Sequence, residues 1–344
     1  MILRMPAYCR DFKCSAGACS DSCCIGWEID IDPKTAEQYM SVTGEFGEKL
    51  RANIAKNDVY SFILKNERCP FLNSDNLCEI ILNMGEDKLC HICDNHPRYY
   101  EWFDGLKEGG TGLCCEEAAR LILNNGNYGE YYDIEIPDEP SDEYDEELYD
   151  FLFGARENLF AFLSNDKADL FSVVSRMLDY TEWAQCAIDN YAYDEVYSEI
   201  TEKQGSRVAP DYKSLLNIFG DFEPIDEKWQ PFIAQVKEKA AMPDFAKYGG
   251  YLRNIGAYFI WRYFMKGVFD EEILSKVKLA VIGMAVLGVV FTAENADEEQ
   301  CIILAKNYSK EIEYSEENLE KLFDMTYTED AFESEGLANL FRCY

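Results

Sequence analysis

The placement of the cysteines constrains this chain more than any other feature. Of 14 cysteines in 344 residues, eleven lie at or before Cys115, at positions 9, 14, 19, 23, 24, 69, 78, 90, 93, 114 and 115. Cys186, Cys301 and Cys343 are scattered through the rest. Several thiols are adjacent or nearly so, as in Cys23-Cys24, Cys90-x2-Cys93 and Cys114-Cys115. Neighbouring thiols rarely bridge each other, whereas they converge readily on one metal. Two further observations count against a secreted disulfide framework. Residues 1–8 (MILRMPAY) lack a basic start followed by a long apolar core, so no signal peptide is read there. The chain is also far longer than the small scaffolds that need disulfides to fold. The expected compartment is therefore reducing and cytoplasmic.

Four soft thiolates in a tetrahedral set select zinc or an iron–sulfur cluster. The clusters are Cys14-x4-Cys19-x3-Cys23-Cys24, then Cys69-Pro-Phe-Leu with Cys78 nine residues on, then Cys90-x2-Cys93, then Cys114-Cys115. None supplies four well-spaced ligands alone, so a site must be assembled from distant segments. The metal would then staple a region poor in its own core, because binding energy becomes folding energy. Cys9, Cys24 and Cys114 each sit beside a better-placed thiol and read equally as packing residues; Cys186, Cys301 and Cys343 read as structural. The two histidines, His91 and His96, share the segment 90–98 (CHICDNHPR) and suit either a metal or a backbone hydrogen bond. No G-x-x-x-x-G-K-[ST] phosphate loop and no G-x-G-x-x-G after a strand is present. Cys19-x3-Cys23 begins the usual radical S-adenosylmethionine spacing, but Gly26 stands where the next cysteine is required.

The formal charge of −33 is unevenly spread: residues 1–115 carry −6 and the remainder −27. Such a surface repels nucleic acid and anionic membranes and favours a basic, lysine-bearing protein. Neither a nucleic-acid nor a membrane partner is expected. The charge-free run 279–293 (LAVIGMAVLGVVFTA) falls short of the ~18–20 residues that cross a bilayer and reads as a buried helix.

These observations predict a mainly α protein: an irregular, cysteine-rich, metal-bound N-terminal domain over 1–129, an acidic linker over 130–147, and an α-helical domain over 148–344. In the first part, 27–32 (WEIDID) alternates like a strand, and 33–40 and 46–65 have helical spacing. Residues 68–82 resemble a hairpin turning at 73–76 (NSDN), 105–112 (GLKEGGTG) reads as a flexible loop, and a helix starts at 116. The linker holds ten acidic residues, two prolines and no Lys or Arg. Beyond it, helical periodicity runs over 148–163, 170–191, 212–219, 228–239, 250–265, 271–292, 297–309 and 316–325.

The order of motifs is identifiable. Cys14-x4-Cys19-x3-Cys23-Cys24-x2-Trp27, then Cys69-Pro70-Phe71-Leu72, Cys78-x-Ile80, Cys90-x2-Cys93-x3-Pro97-Arg98 and Cys115-x-Glu117-x2-Arg120 resemble the flagellin lysine-N-methylase family. Residues 8–123 carry the resemblance, and the N-terminal part is similar to a broader group of cysteine-cluster proteins that chelate zinc or iron. His96 and Glu116 depart from the family pattern, where tyrosine and proline are common. The resemblance implies methyl transfer from S-adenosylmethionine to flagellin lysines, with a 4Fe-4S iron–sulfur cluster or zinc. The implied metal ligands are Cys14, Cys19, Cys23, Cys69, Cys78, Cys90, Cys93 and Cys115, with Cys24 in reserve. Arg98 would pair with the donor's carboxylate, and Trp27, Tyr99, Tyr100 and Trp102 would face its sulfonium by cation–π contact. Glu117 would steer the lysine or complement a helix start. The alternative is a non-enzymatic zinc- or iron-binding interaction module or metal carrier.

Overall fold

The computed structural model describes residues 1–26, 29–66, 68–140, 143–198 and 210–343. Trp27, expected to open a strand and to contact the methyl donor, lies outside them. The described strands are β1 (Ile2–Pro6), β2 (Asp30–Ile31), β3 (Ile54–Lys56), β4 (Tyr60–Phe62), β5 (Arg98–Phe103), β6 (Leu106–Thr111) and β7 (Tyr131–Glu135). The chain divides into two compact units. One gathers Met1–Phe12, Tyr100–Cys114 and Ala118–Tyr344; the other comprises Lys13–Tyr99 and Cys115–Glu117.

The larger unit is mainly α, as expected, and is built around the helix Leu274–Ala293. Every residue from Ser275 to Phe291 is buried. A helix apolar on all sides must be enclosed by others, and Phe245–Tyr263, Leu170–Asp189, Glu298–Glu313 and Glu316–Thr328 pack around it. By length and composition it would also suffice to cross a membrane, yet nearly all of it lies inside this unit. The lysines near its start are accommodated: Lys276 pairs with Asp270 at 2.7 Å, and Lys278 donates to the Thr326 carbonyl at 2.8 Å. Aspartates begin the neighbouring helices. Asp145 accepts from Leu148 N–H, Asp169 from Ser172, Asp244 from Lys247 and Asp297 from Gln300, at 2.8–3.1 Å. Each such cap satisfies an otherwise orphaned amide.

Two expectations fail here. The segment 105–112, read as a flexible loop, contains β6, an inner strand of the sheet β5-β6-β1-β7. Its glycines serve close packing rather than a loop. A Cβ at Gly109 would stand 2.6 Å from Met5 Sδ and 2.7 Å from Tyr100, so close packing requires glycine there. The charge of Glu108 is answered 48 residues away by Arg156, through bonds of 2.6 and 2.8 Å. The acidic stretch 130–147 likewise contains β7, antiparallel to β1. Asp133 there binds the Arg4 guanidinium at 3.0 Å through both oxygens, and that guanidinium lies 4.1 Å over the Tyr131 ring.

The smaller unit holds the sheet β2-β4-β3 and the helices Pro33–Ser41 and Gly44–Ala52. The helix expected over 46–65 stops at Ala52, and β3 and β4 form a hairpin in its place, turning where Asn57 N–H donates to the Val59 carbonyl. The turn at 73–76 is present. Asn73 Oδ1 accepts from Asp75 and Leu77 N–H at 2.9 Å, and Leu72 bridges Cys78. A helix, Glu79–Met84, then replaces the second arm. Ile29, Ile31, Tyr39, Leu50, Phe62 and Phe71 form the core, and Cys69 and Cys90 are buried within it.

Candidate metal centre

Three separate backbone features carry the thiols of the smaller unit into one core. Cys69 N–H donates to the Cys24 carbonyl at 2.9 Å beside the Ile25–Arg68 bridge, which fixes the first two cysteine segments together. Cys78 immediately precedes the helix Glu79–Met84. Cys90 immediately precedes the single-turn helix His91–Asn95, which contains Cys93. Asp32 anchors that turn: one oxygen caps the helix Pro33–Ser41 through Thr35 N–H at 2.9 Å, and the other accepts from His91 N–H at 3.0 Å.

The resulting thiols act on one another. Cys23 and Cys24 hydrogen-bond, Cys24 bonds in turn to Cys69, and Cys90 bonds to Cys93. Cys78 feels the charges of Cys23 and Cys90, and Cys93 those of Cys24 and Cys69. The hydrogen bond with Cys24 and then burial push the Cys23 thiol far up; the bond with Cys90 and then burial do the same to Cys93. The bond with Cys23 pulls Cys24 down, but the bond to Cys69 and burial outweigh it and raise it to about 12. Cys69 and Cys90 are the members pulled below the ordinary thiol range, chiefly by their bonds to Cys24 and Cys93. Burial raises Cys78.

Backbone amides also aim at these sulfurs: Phe71 N–H at Cys69, Ile80 and Ile81 N–H at Cys78, and Cys93 N–H at Cys90. Donors of this kind favour a thiolate and orient a metal-bound sulfur. By chemistry the six sulfurs fit zinc or an iron–sulfur cluster, whose charge keeps a coordinated thiol deprotonated. Among the described residues, no three His, Cys, Asp or Glu side chains surround a common point as ligands. Ligation therefore requires the paired thiols to turn away from one another.

The other expected ligands are placed differently. Cys14 is exposed, and its sulfur accepts from Ala16 N–H at 3.4 Å. Cys19 donates to Glu116 Oε2 at 3.8 Å, and the same oxygen accepts from Ser20 N–H at 3.1 Å. Cys115 is half-buried. In the larger unit, Cys9 lies 3.7 Å from Thr111 Oγ1. His91 and His96 line a cleft of about 550 Å³ in the smaller unit with Asp30, Asp32, Val59 and Arg98. Tyr99 is half-buried. Tyr100 and Trp102, considered above for a sulfonium, already face a cation: Lys107 Nζ stands 4.4 and 4.7 Å from their ring centres and is tied to Glu139 at 2.9 Å. Asp30, Asp32 and the cleft escaped sequence reasoning. The alternation of WEIDID marked a strand and carried no sign that Asp30 and Asp32 face a cavity.

A comparison with protein families matches residues 111–340 to the model of the FliB lysine N-methylase C-terminal domain. That stretch takes in the helical region and leaves the segments from Cys14 to Cys93 outside. The flagellar biosynthetic protein FliU of Salmonella muenchen is 29% identical over 132 residues, covering 35% of this chain and 76% of that protein. Lysine-N-methylases of Salmonella choleraesuis and Salmonella typhimurium are each 29% identical over 128 residues, covering 35% of this chain. The chain spans about a third of their length, 32% in each case. No solved structure matches the chain.

Proposed function

The chain belongs to the FliB lysine N-methylase C-terminal domain family, and from that premise we propose that it is a protein lysine N-methyltransferase acting on flagellin, with S-adenosylmethionine as donor. The match over 111–340 carries the reading. It is supported by the relatives named lysine-N-methylase and by the flagellar name of the third. We place the reaction in a reducing, cytoplasmic compartment, where clustered thiols stay reduced.

Transfer to a lysine breaks the donor's sulfur–methyl bond, forms a nitrogen–methyl bond and releases one proton from the amine. A protein that catalyses it must hold amine and methyl together and take up that proton. The formal charge of −33 favours approach of a lysine-rich surface. Cys23, Cys24, Cys69, Cys78, Cys90 and Cys93 are the residues to hold the metal, with Cys14, Cys19 and Cys115 as further donors. When bound, an iron–sulfur cluster supplies an electron-transfer or Lewis-acid centre, whereas zinc supplies a structural staple. A second reading, a non-enzymatic metal-binding module, draws on one observation: the thiols occupy a compact unit with a core of its own.

The test is incubation of anaerobically purified protein with flagellin and isotopically labelled S-adenosylmethionine, followed by mass spectrometry of flagellin peptides. Labelled ε-methyl-lysine is expected. Its absence with folded, metal-loaded protein refutes the enzyme and leaves the binding module.

A further inference from the structure

We infer that the 550 Å³ cleft of the smaller unit is the binding site for the methyl donor, an amino-acid-bearing sulfonium nucleoside. This rests on the methylase reading. Its volume lies within the range of small-molecule sites, roughly 300–1,000 Å³. Its charges are of both signs: Asp30 and Asp32 line it together with Arg98. The donor carries two cations, an ammonium and a sulfonium, and one carboxylate, so two acids and one guanidinium answer it group for group. The match is selective. A nucleotide's phosphates would meet the two carboxylates of Asp30 and Asp32. Arg98 offers the planar fork that binds a carboxylate through two bonds.

The apolar lining suits the rest of the molecule. Val59 and Ile92 are 55% and 37% exposed, and both border the cleft. They offer a base a surface to cover. Asp32 is held still, since Thr35 and His91 amides grip its two oxygens, so it presents a fixed carboxylate. The cleft also has the right neighbour. His91 and Ile92 on its wall belong to the helix His91–Asn95, which carries Cys93 and follows Cys90. One turn of helix thus serves both the cleft and the thiol core.

Isothermal titration of the intact, anaerobically purified chain with S-adenosylmethionine and S-adenosylhomocysteine tests this. The variants are Arg98→Met, Arg98→Lys and Asp30→Asn; Asp32 is left intact because it caps a helix. Both side chains to be changed are exposed, and circular dichroism with metal analysis reports the fold of each variant. Loss of a charge-assisted contact should weaken binding about 10- to 100-fold in Arg98→Met and Asp30→Asn. Arg98→Lys should recover part of the loss, since charge returns without the fork. Wild-type binding with all variants within twofold overturns the cleft while leaving the methylase reading intact. Wild-type protein that methylates lysine without binding either nucleoside overturns the ligand assignment alone. Protein that neither binds nor methylates overturns both.

Discussion

Replacing Arg156 by methionine tests how the larger unit tolerates a charged residue in an inner strand. Arg156 is fully buried and Glu108 is 4% exposed, and two hydrogen bonds of 2.6 and 2.8 Å join them. The guanidinium also lies 4.7 Å from the Trp261 ring centre and 5.4 Å from that of Phe153. Methionine keeps much of the volume but removes the cation, so the Glu108 carboxylate is left buried and uncompensated. Breaking a buried pair from one side costs about 3–5 kcal/mol. At about 2–4 °C per kcal/mol for a unit of this size, Tm should fall by roughly 6–20 °C. The pair is imperfect in one respect, because Arg156 Nε is buried without a partner. Replacing both members, Glu108→Leu with Arg156→Met, should therefore recover most of the loss. Thermal and urea unfolding of wild type, both single variants and the double variant close the cycle. A single variant that loses under about 1 kcal/mol, or a double variant no better than Arg156→Met, refutes the reasoning.

Two further outcomes follow from other residues. Burial raises the Glu311 carboxyl to about 7 against an ordinary 4.5, although it accepts Ile225 and Asp226 N–H at 3.0 and 2.7 Å. Its folded pKa lies above its unfolded one, so its contribution is complete below about pH 4.5 and is lost as pH rises through 7. After discounting for partial solvent screening, Glu311→Gln should remove about 1–2 kcal/mol of that decline, read as unfolding free energy at pH 5 and pH 8; an unchanged pH slope refutes it. Gly47→Ala should cost the smaller unit about 1–3 kcal/mol by overpacking, because the new Cβ would stand 2.0 Å from the Val42 carbonyl oxygen; a wild-type unfolding midpoint would contradict that close approach.

Helices with one apolar face were legible in the sequence through their spacing. The spacing over 148–163 and 170–191 corresponds to Glu146–Leu163 and Leu170–Asp189, and 297–309 runs from the Asp297 cap into Glu298–Glu313. The helix expected from 250 begins at Phe245, since Asp244 caps it and Gly249-Gly250 lie within it. What was hidden depends on partners distant in sequence. β6 exists because Arg156 answers Glu108 and because Gly109 fits beneath Tyr100; β7 exists because Arg4 answers Asp133. No window of ten residues contains either ion pair. The thiol clustering was visible, but its wiring was not. Cys24 bonds to Cys69 because a strand-like bridge joins their segments, and the sequence spacing of 45 residues says nothing of it. The cleft was invisible for the same reason, since Asp30, Val59 and Arg98 come from three separate segments.

The most direct test of the central claim is metal analysis of the chain purified without oxygen, alongside its Cys69→Ser and Cys93→Ser variants. We predict iron with labile sulfide in stoichiometric amounts, lost together with solubility in both variants. Zinc in place of iron would contradict the cluster. Folded wild-type protein free of metal, with the six core thiols open to a thiol reagent after unfolding, would contradict a shared ligand set for Cys23, Cys24, Cys69, Cys78, Cys90 and Cys93.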